Sequence, residues 1–218
     1  MKTAPPFPDR QGAGGSLAAK LAALSPPPTV VAAIPRGGVI VAAASAALLG
    51  VPLALVHARK LTAPPQPEIA FGAVDEDGHM VVDYPLIAAL RLSDADVEAI
   101  KARVSADIRR QRELYAARPL ADFLPAESAV LVDDGLATGL TMDAAVAYAR
   151  RHGAQEVIVA APCASSRAAA RLRGSADRFV SLVVDADFEA VGDYYAQFGE
   201  VDDSEILALL SRLGRRTM

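Results

Sequence analysis

Cysteine occurs once among the 218 residues, tryptophan does not occur, and no segment stays apolar for long. A single Cys163 cannot close an intramolecular disulfide, so a reducing compartment, the cytoplasm, is expected. Cys163 lies in the apolar run 157–164, where a free cysteine serves as a small buried hydrophobe rather than a nucleophile. No run approaches the roughly 18 apolar residues of a bilayer span, because Pro35-Arg36-Gly37-Gly38 interrupts the longest candidate. Met1-Lys2-Thr3-Ala4-Pro5-Pro6 lacks the apolar core of a secretion signal, so a soluble intracellular protein without a membrane partner is expected. Excess positive charge is missing as well. A formal net charge of −4 and a pI near 5.4 argue against binding nucleic acid through overall charge. Neither Gly-x-Gly-x-x-Gly nor a Gly-Lys-Ser/Thr loop is present, which disfavours an unrelated nucleotide-binding α/β protein.

The composition that remains, 52% hydrophobic and 22% charged, is that of an ordinary folded domain, and the length suits one domain over residues 1–218. Leu17, Leu21 and Leu24 recur at helical spacing over 9–24, and Pro26-Pro27-Pro28 ends that helix. Residues 29–34 read as a strand, 38–49 as a helix closed by Gly50, and 53–57 as a second strand. Residues 61–70, with Pro64, Pro65 and Pro67, read as an irregular loop. Short strands at 71–74 and 79–82 follow, joined by a turn at Asp75-Glu76-Asp77-Gly78. Ser93 caps a long helix reaching about Ala117, with Val97, Ile100, Val104, Ile108 and Leu114 at helical spacing. A strand near 129–132, a helix over 141–152, a strand at 156–161, a helix at 165–172, a strand at 178–184 and a short helix at 204–213 complete the order. Alternation of this kind makes a parallel sheet with helices on both faces, and ligands gather at the carboxyl ends of its strands.

Three loops fall at such ends. Ala129 to Val132 run into Asp133-Asp134, and Gly135-Leu136-Ala137-Thr138-Gly139-Leu140-Thr141 then opens a helix. Free backbone N–H groups there suit a phosphate, while two carboxylates would repel a bare one. A ligand with a phosphate at one end and hydroxyls or a metal ion at the other fits, as in a phosphorylated sugar. Taken alone, Asp-Asp after a strand is only a loop start and helix cap. In the second loop, Gly37 and Gly38 let the backbone approach a ligand closely or adopt positive φ, and Arg36 offers a fork for phosphate. In the third, Arg59-Lys60 is a basic pair at a strand end, a feature that is commonly just solvated. His57, His79 and His152 show no metal-ligand spacing, and the aromatic cluster Phe188, Tyr194, Tyr195 and Phe198 reads first as packing.

The 129–142 segment is similar to the signature of the type I phosphoribosyltransferases: four apolar residues, Asp-Asp, two variable residues, Thr-Thr-Gly, one variable residue and Thr. Asp133, Asp134, Thr138, Gly139 and Thr141 match, and Ala137 stands where many members have Thr, as it does in adenine phosphoribosyltransferases. Pro35-Arg36-Gly37-Gly38 resembles the family's pyrophosphate loop, which implies a cis Pro35–Arg36 peptide, and Arg59-Lys60 resembles the start of the orotate enzymes' catalytic loop. With Phe198-Gly199-Glu200 near Asp202-Asp203, the layout looks most like bacterial phosphoribosyltransferase-like proteins of unassigned acceptor.

The resemblance implies an α/β fold with a small hood at about 185–218 and the N-terminal segment. It also implies transfer of phosphoribose from 5-phosphoribosyl 1-pyrophosphate (PRPP) to a nitrogenous-base acceptor. In that scheme Gly135 to Thr141 hold the 5′-phosphate, and Asp133 and Asp134 face the ribose hydroxyls and reach Mg²⁺ directly or through water. Arg36, Gly37, Gly38, Arg59 and Lys60 attend the pyrophosphate. A homo-oligomer, a dimer, is expected. The alternative is a PRPP-binding regulator of the same fold without catalysis.

Overall fold

The computed structural model describes residues 5–64 and 66–214. Its frame is a five-stranded, all-parallel sheet of β1 (Val30–Ala33), β2 (Leu53–Leu55), β6 (Ser128–Val132), β7 (Glu156–Ser165) and β8 (Arg178–Asp185), in the order β2-β1-β6-β7-β8. Apolar residues on both sides of each central strand are the reason for this buried arrangement. Successive residues point to opposite faces, so Val30, Ala32, Ala129, Leu131, Val157 and Val159 enter one core. There they meet α5 (Leu140–Arg151) and α6 (Ser166–Ser175). Val31, Ala33, Val130, Val132, Ile158 and Ala160 enter the other core, against α1 (Arg10–Leu21), α2 (Gly37–Leu49) and α7 (Asp203–Gly214). The expected α/β architecture with helices on both faces is what the chain adopts.

A second, antiparallel sheet of β3 (Ala58–Ala63), β4 (Gln66–Asp75) and β5 (Met80–Val82) corrects the expected irregular loop at 61–70. Pro67 is tolerated because the β3–β4 register slips around Thr62: Ala63 faces Gln66 while Thr62 already faces Ala70. Residues 67–69 therefore bulge out of the ladder, where a missing N–H costs nothing. This sheet lies between two helices. Leu61, Phe71 and Val74 pack on α4 (Asp94–Tyr115), and Ala58 and Ala73 pack on Leu140 and Ala144 of α5. Ser93 caps α4 as expected, and Asp96 completes a capping box with it. The short helix α3 (Tyr84–Ala89), capped by Asp83, was not anticipated, and the second strand is shorter than expected. No helix among the described residues is long and apolar enough to cross a membrane.

Candidate active site

The carboxyl end of β6 turns directly into Asp133 and Asp134, and the loop that follows is pinned by an extension of β7 beyond its expected end at Ala161. Leu136 N–H donates to the Cys163 carbonyl at 2.9 Å, Ser165 N–H to the Leu136 carbonyl at 2.9 Å, and Ser165 Oγ to the Ala137 carbonyl at 2.7 Å. Leu136 thus spends its amide on the scaffold and buries its side chain. The amides of Gly135, Ala137, Thr138 and Gly139 have no protein acceptor among the described residues. Gly139 takes φ 78°, the left-handed turn that leads into α5 without a side-chain cap, so the helix N-terminus stays open. Asp143 in the first turn could oppose an anion there. It is instead bound by Arg171 at 3.0 Å and Ser175 at 2.7 Å.

The Arg36 loop closes on the carboxylates from the end of β1. A methyl group on Gly37 would overlap the Asp134 carboxylate, and one on Gly38 would come within 2.8 Å of the Val132 carbonyl and 3.0 Å of Asp133. The paired glycines are therefore needed for close approach. The Pro35–Arg36 peptide is cis, as the family resemblance implied. Arg36, partly exposed, faces Glu200 at 3.7 Å and Asp203 at 3.9 Å. Behind Asp203 runs a buried chain of hydrogen bonds. Tyr115 OH donates to Asp203 at 2.6 Å, Gln111 Nε2 donates to Tyr115 at 3.2 Å, and Gln111 Oε1 lies 3.3 Å from His57 Nδ1.

Strand alternation separates the basic pair. Lys60 shares its face of β3 with Ala58, toward α5, and its charge reaches Asp133. Arg59 shares the opposite face with Leu61, toward α4, and acts on His57. The structure thus turns Lys60 to the side of α5 and Asp133, and Arg59 to the side of α4 and His57.

Burial is the main cause that raises Asp133 well above the ordinary carboxylate value, followed by the neighbouring Asp134 charge, while Lys60 pulls the other way. Asp134 has a partner that sequence reasoning missed. Arg10 Nε donates to Asp134 Oδ2 at 2.7 Å, Arg10 Nη1 to the Gly199 carbonyl at 2.9 Å, and the guanidinium lies 3.8 Å from the centre of the Phe198 ring. Tyr195 OH donates to the Asp134 carbonyl at 2.5 Å. The N-terminal segment reaches this place because Phe7 N–H donates to the Tyr194 carbonyl and Ala196 N–H to the Phe7 carbonyl. Arg10, Arg36, Gly37, Phe198, Gly199, Glu200 and Val201 surround a cavity of about 430 Å³.

The carboxylate pair is a hard-oxygen donor set, a chemistry that fits Mg²⁺. Asp133 and Asp134 each keep an oxygen that accepts no protein hydrogen bond among the described residues. A second cluster lies at the β4–β5 turn, where Asp75, Asp77 and His79 bring ligand atoms within 4.8 Å of one another. Arg151 pairs with Asp75 and stands 3.7 Å from Asp77, and His152 lies 2.8 Å from Asp77, so both carboxylates of that cluster already have partners within the chain.

Residues 13–198 match the model of the phosphoribosyl transferase domain. A Mycobacterium tuberculosis protein provisionally named a phosphoribosyl transferase is 41% identical over 211 residues, 96% of this chain and 47% of its own length. The chain therefore spans about half the length of the curated relatives it matches. The crystal structure of TT1426 from Thermus thermophilus is 42% identical, with a TM-score of 0.74 over 94% of this chain and 98% of that one. The AQ2163 protein of Aquifex aeolicus, 12% identical with a TM-score of 0.52 over 86% and 85% of the two chains, shares the fold alone. The chain belongs to the phosphoribosyl transferase domain family.

Proposed function

We propose that this chain transfers the 5-phosphoribosyl group of PRPP to a nitrogenous-base acceptor, releasing pyrophosphate. The observation that carries the reading is the convergence of two carboxylates, an amide-lined helix N-terminus and the Arg36-Gly37-Gly38 loop at the ends of adjacent strands. In this reading the free amides of Gly135, Ala137, Thr138 and Gly139, with the hydroxyls of Thr138 and Thr141, take the 5′-phosphate. Leu136 and Leu140 shape that loop by packing. Asp133 and Asp134 accept hydrogen bonds from the ribose hydroxyls, and Arg36 with the Gly37 and Gly38 amides holds the pyrophosphate.

As the bond from C1 to the pyrophosphate oxygen breaks, its electron pair leaves with pyrophosphate and positive charge grows on the ribose ring. The two carboxylates stabilise that charge more in the transition state than in the ground state. Lys60 and Arg36 stabilise the departing anion. The acceptor nitrogen then supplies the new pair to C1, so no protein nucleophile takes part. Mg²⁺ held by Asp133 and Asp134, directly or through water, would neutralise pyrophosphate charge. The reading includes one functional unit in which 185–214 and the N-terminal segment form a hood, working as a dimer in the cytoplasm.

Arg10 on Asp134 favours one competing reading, a regulator that binds PRPP without turnover, because one ribose-facing carboxylate is already paired. Pyrophosphate release over a panel of bases separates the two. Turnover that falls at least a hundredfold in Asp134→Asn supports transfer. Equal turnover by that variant would remove the carboxylate assignment, and PRPP binding without release for any base would favour the regulator.

A further inference from the structure

We propose that the acceptor carries a carboxylate and that Arg10 is the residue that selects it. This inference rests on the transferase reading and goes further by naming the acceptor's chemical class. The cavity of about 430 Å³ lies between the Arg36-Gly37 loop and residues 198–201, on the hood side of the carboxylate pair, and Arg10 forms part of its wall. Arg10 is a built feature. Asp9 caps α1 by accepting from Gly12 N–H at 2.7 Å, which fixes Arg10 as the first helical residue, and its side chain is only 11% exposed.

A guanidinium has five N–H donors. One of Arg10's goes to Asp134 and one to the Gly199 carbonyl, leaving three beside the cavity without a protein acceptor among the described residues. Arg36 also lines the space, but in the transferase reading pyrophosphate takes it. Arg10 is then the cation left for the acceptor.

Ring stacking, the other way to hold a base, has few unpartnered rings to draw on here. Phe188 stacks on Tyr194 at 5.1 Å, and Tyr195 lies 5.5 Å from Phe7 and 5.1 Å from Phe198, with both tyrosines buried. Phe198 is the one ring on the cavity wall. A guanidinium lies 3.8 Å from its centre and the Tyr195 ring 5.1 Å away, so the cation and a second ring already compete with a base for its faces. Recognition by charge is what the wall still offers, and an Arg edge matches the planar fork of a carboxylate.

Matched pairs test this directly: orotate against uracil, and nicotinate against nicotinamide, titrated by calorimetry into protein saturated with ribose 5-phosphate and pyrophosphate. The expected result is a carboxylate member binding about tenfold or more tighter than its neutral twin in at least one pair. Arg10→Gln should shrink that gap below about threefold, and Arg10→Lys should keep part of it. Thermal unfolding of each variant establishes that it is folded, and Arg10→Lys serves if the Gln variant is not. Equal binding of twins in both pairs, no binding of any probe to the loaded protein, or a gap that survives Arg10→Gln overturns the proposal while the transferase reading stands. Failure of the donor fragments to bind overturns both.

Discussion

His57 offers a test of the buried scaffold behind the Arg36 loop. The residue is 4% exposed, and burial is the first cause that lowers its pKa from 6.5 to about 4; Arg112 and Arg59 add to this, while its bond to Gln111 opposes it. The unfolded chain therefore binds a proton between pH 6.5 and 4 that the folded chain refuses, and stability falls as pH falls through that window. For one group with these two values the loss between pH 7.5 and pH 5 comes to about 2 kcal/mol, and a pKa one unit higher or lower changes that little. Glu76, fully buried beside Arg112 at 3.3 Å, and Asp133 are both raised by burial. Folded acids of that kind favour the protonated form and so contribute with the opposite sign. A wild-type pH profile alone would mix these effects. His57→Gln keeps a donor for Gln111 and removes only the titration. Urea unfolding of both proteins at pH 7.5 and pH 5 should show the wild type losing about 2 kcal/mol more than the variant. Identical pH dependence in the two proteins would refute the assignment of a neutral, desolvated imidazole.

Tyr115→Phe removes the 2.6 Å bond to Asp203 and should lower stability by about 1–2 kcal/mol in urea unfolding, with a several-fold rise in the KM for PRPP as the carboxylates facing Arg36 loosen. Gly37→Ala should leave thermal unfolding within a few degrees yet weaken PRPP binding by at least about a hundredfold by calorimetry, because its methyl group overlaps the Asp134 carboxylate. Arg171→Met leaves Asp143 with Ser175 as its remaining polar partner at the start of α5, and should weaken inorganic phosphate binding about fivefold at low salt, an effect that added salt diminishes. Burial and the Asp134 and Asp133 charges push the Cys163 thiol up to about 12, so a disulfide reagent should label it at pH 8 only after denaturant is added.

Much of this was legible in the sequence because the parallel sheet writes itself as short runs apolar on both faces, each closed by Gly, Pro or an acid. The loop that opens α5 was legible because glycine, small residues and threonines follow a strand in fixed order. The β3–β4 hairpin was not, since Pro67 sits in a bulge that only pairing with Ala58–Ala63 reveals. The extension of β7 through Cys163 to Ser165 was missed because Pro162 reads as a strand end, whereas on the far side of the loop it pairs with β8 and anchors Leu136. Arg10 carried no local mark at all. It meets Asp134 across 124 residues, and Tyr115 meets Asp203 across 88, separations that no spacing rule spans. For the same reason the sequence could set Arg59 beside Lys60 but could not say that the strand would turn them to opposite faces.

The central claim is that two aspartates and an amide-lined loop hold an activated phosphoribosyl donor. Calorimetric titration of PRPP with Mg²⁺ into the wild type and into the Asp133→Asn/Asp134→Asn double variant addresses it most directly. One site per chain with micromolar affinity, weakened about tenfold or more in the variant, is the predicted result. No heat of binding to the wild type, or an affinity the double variant leaves untouched, would contradict the account.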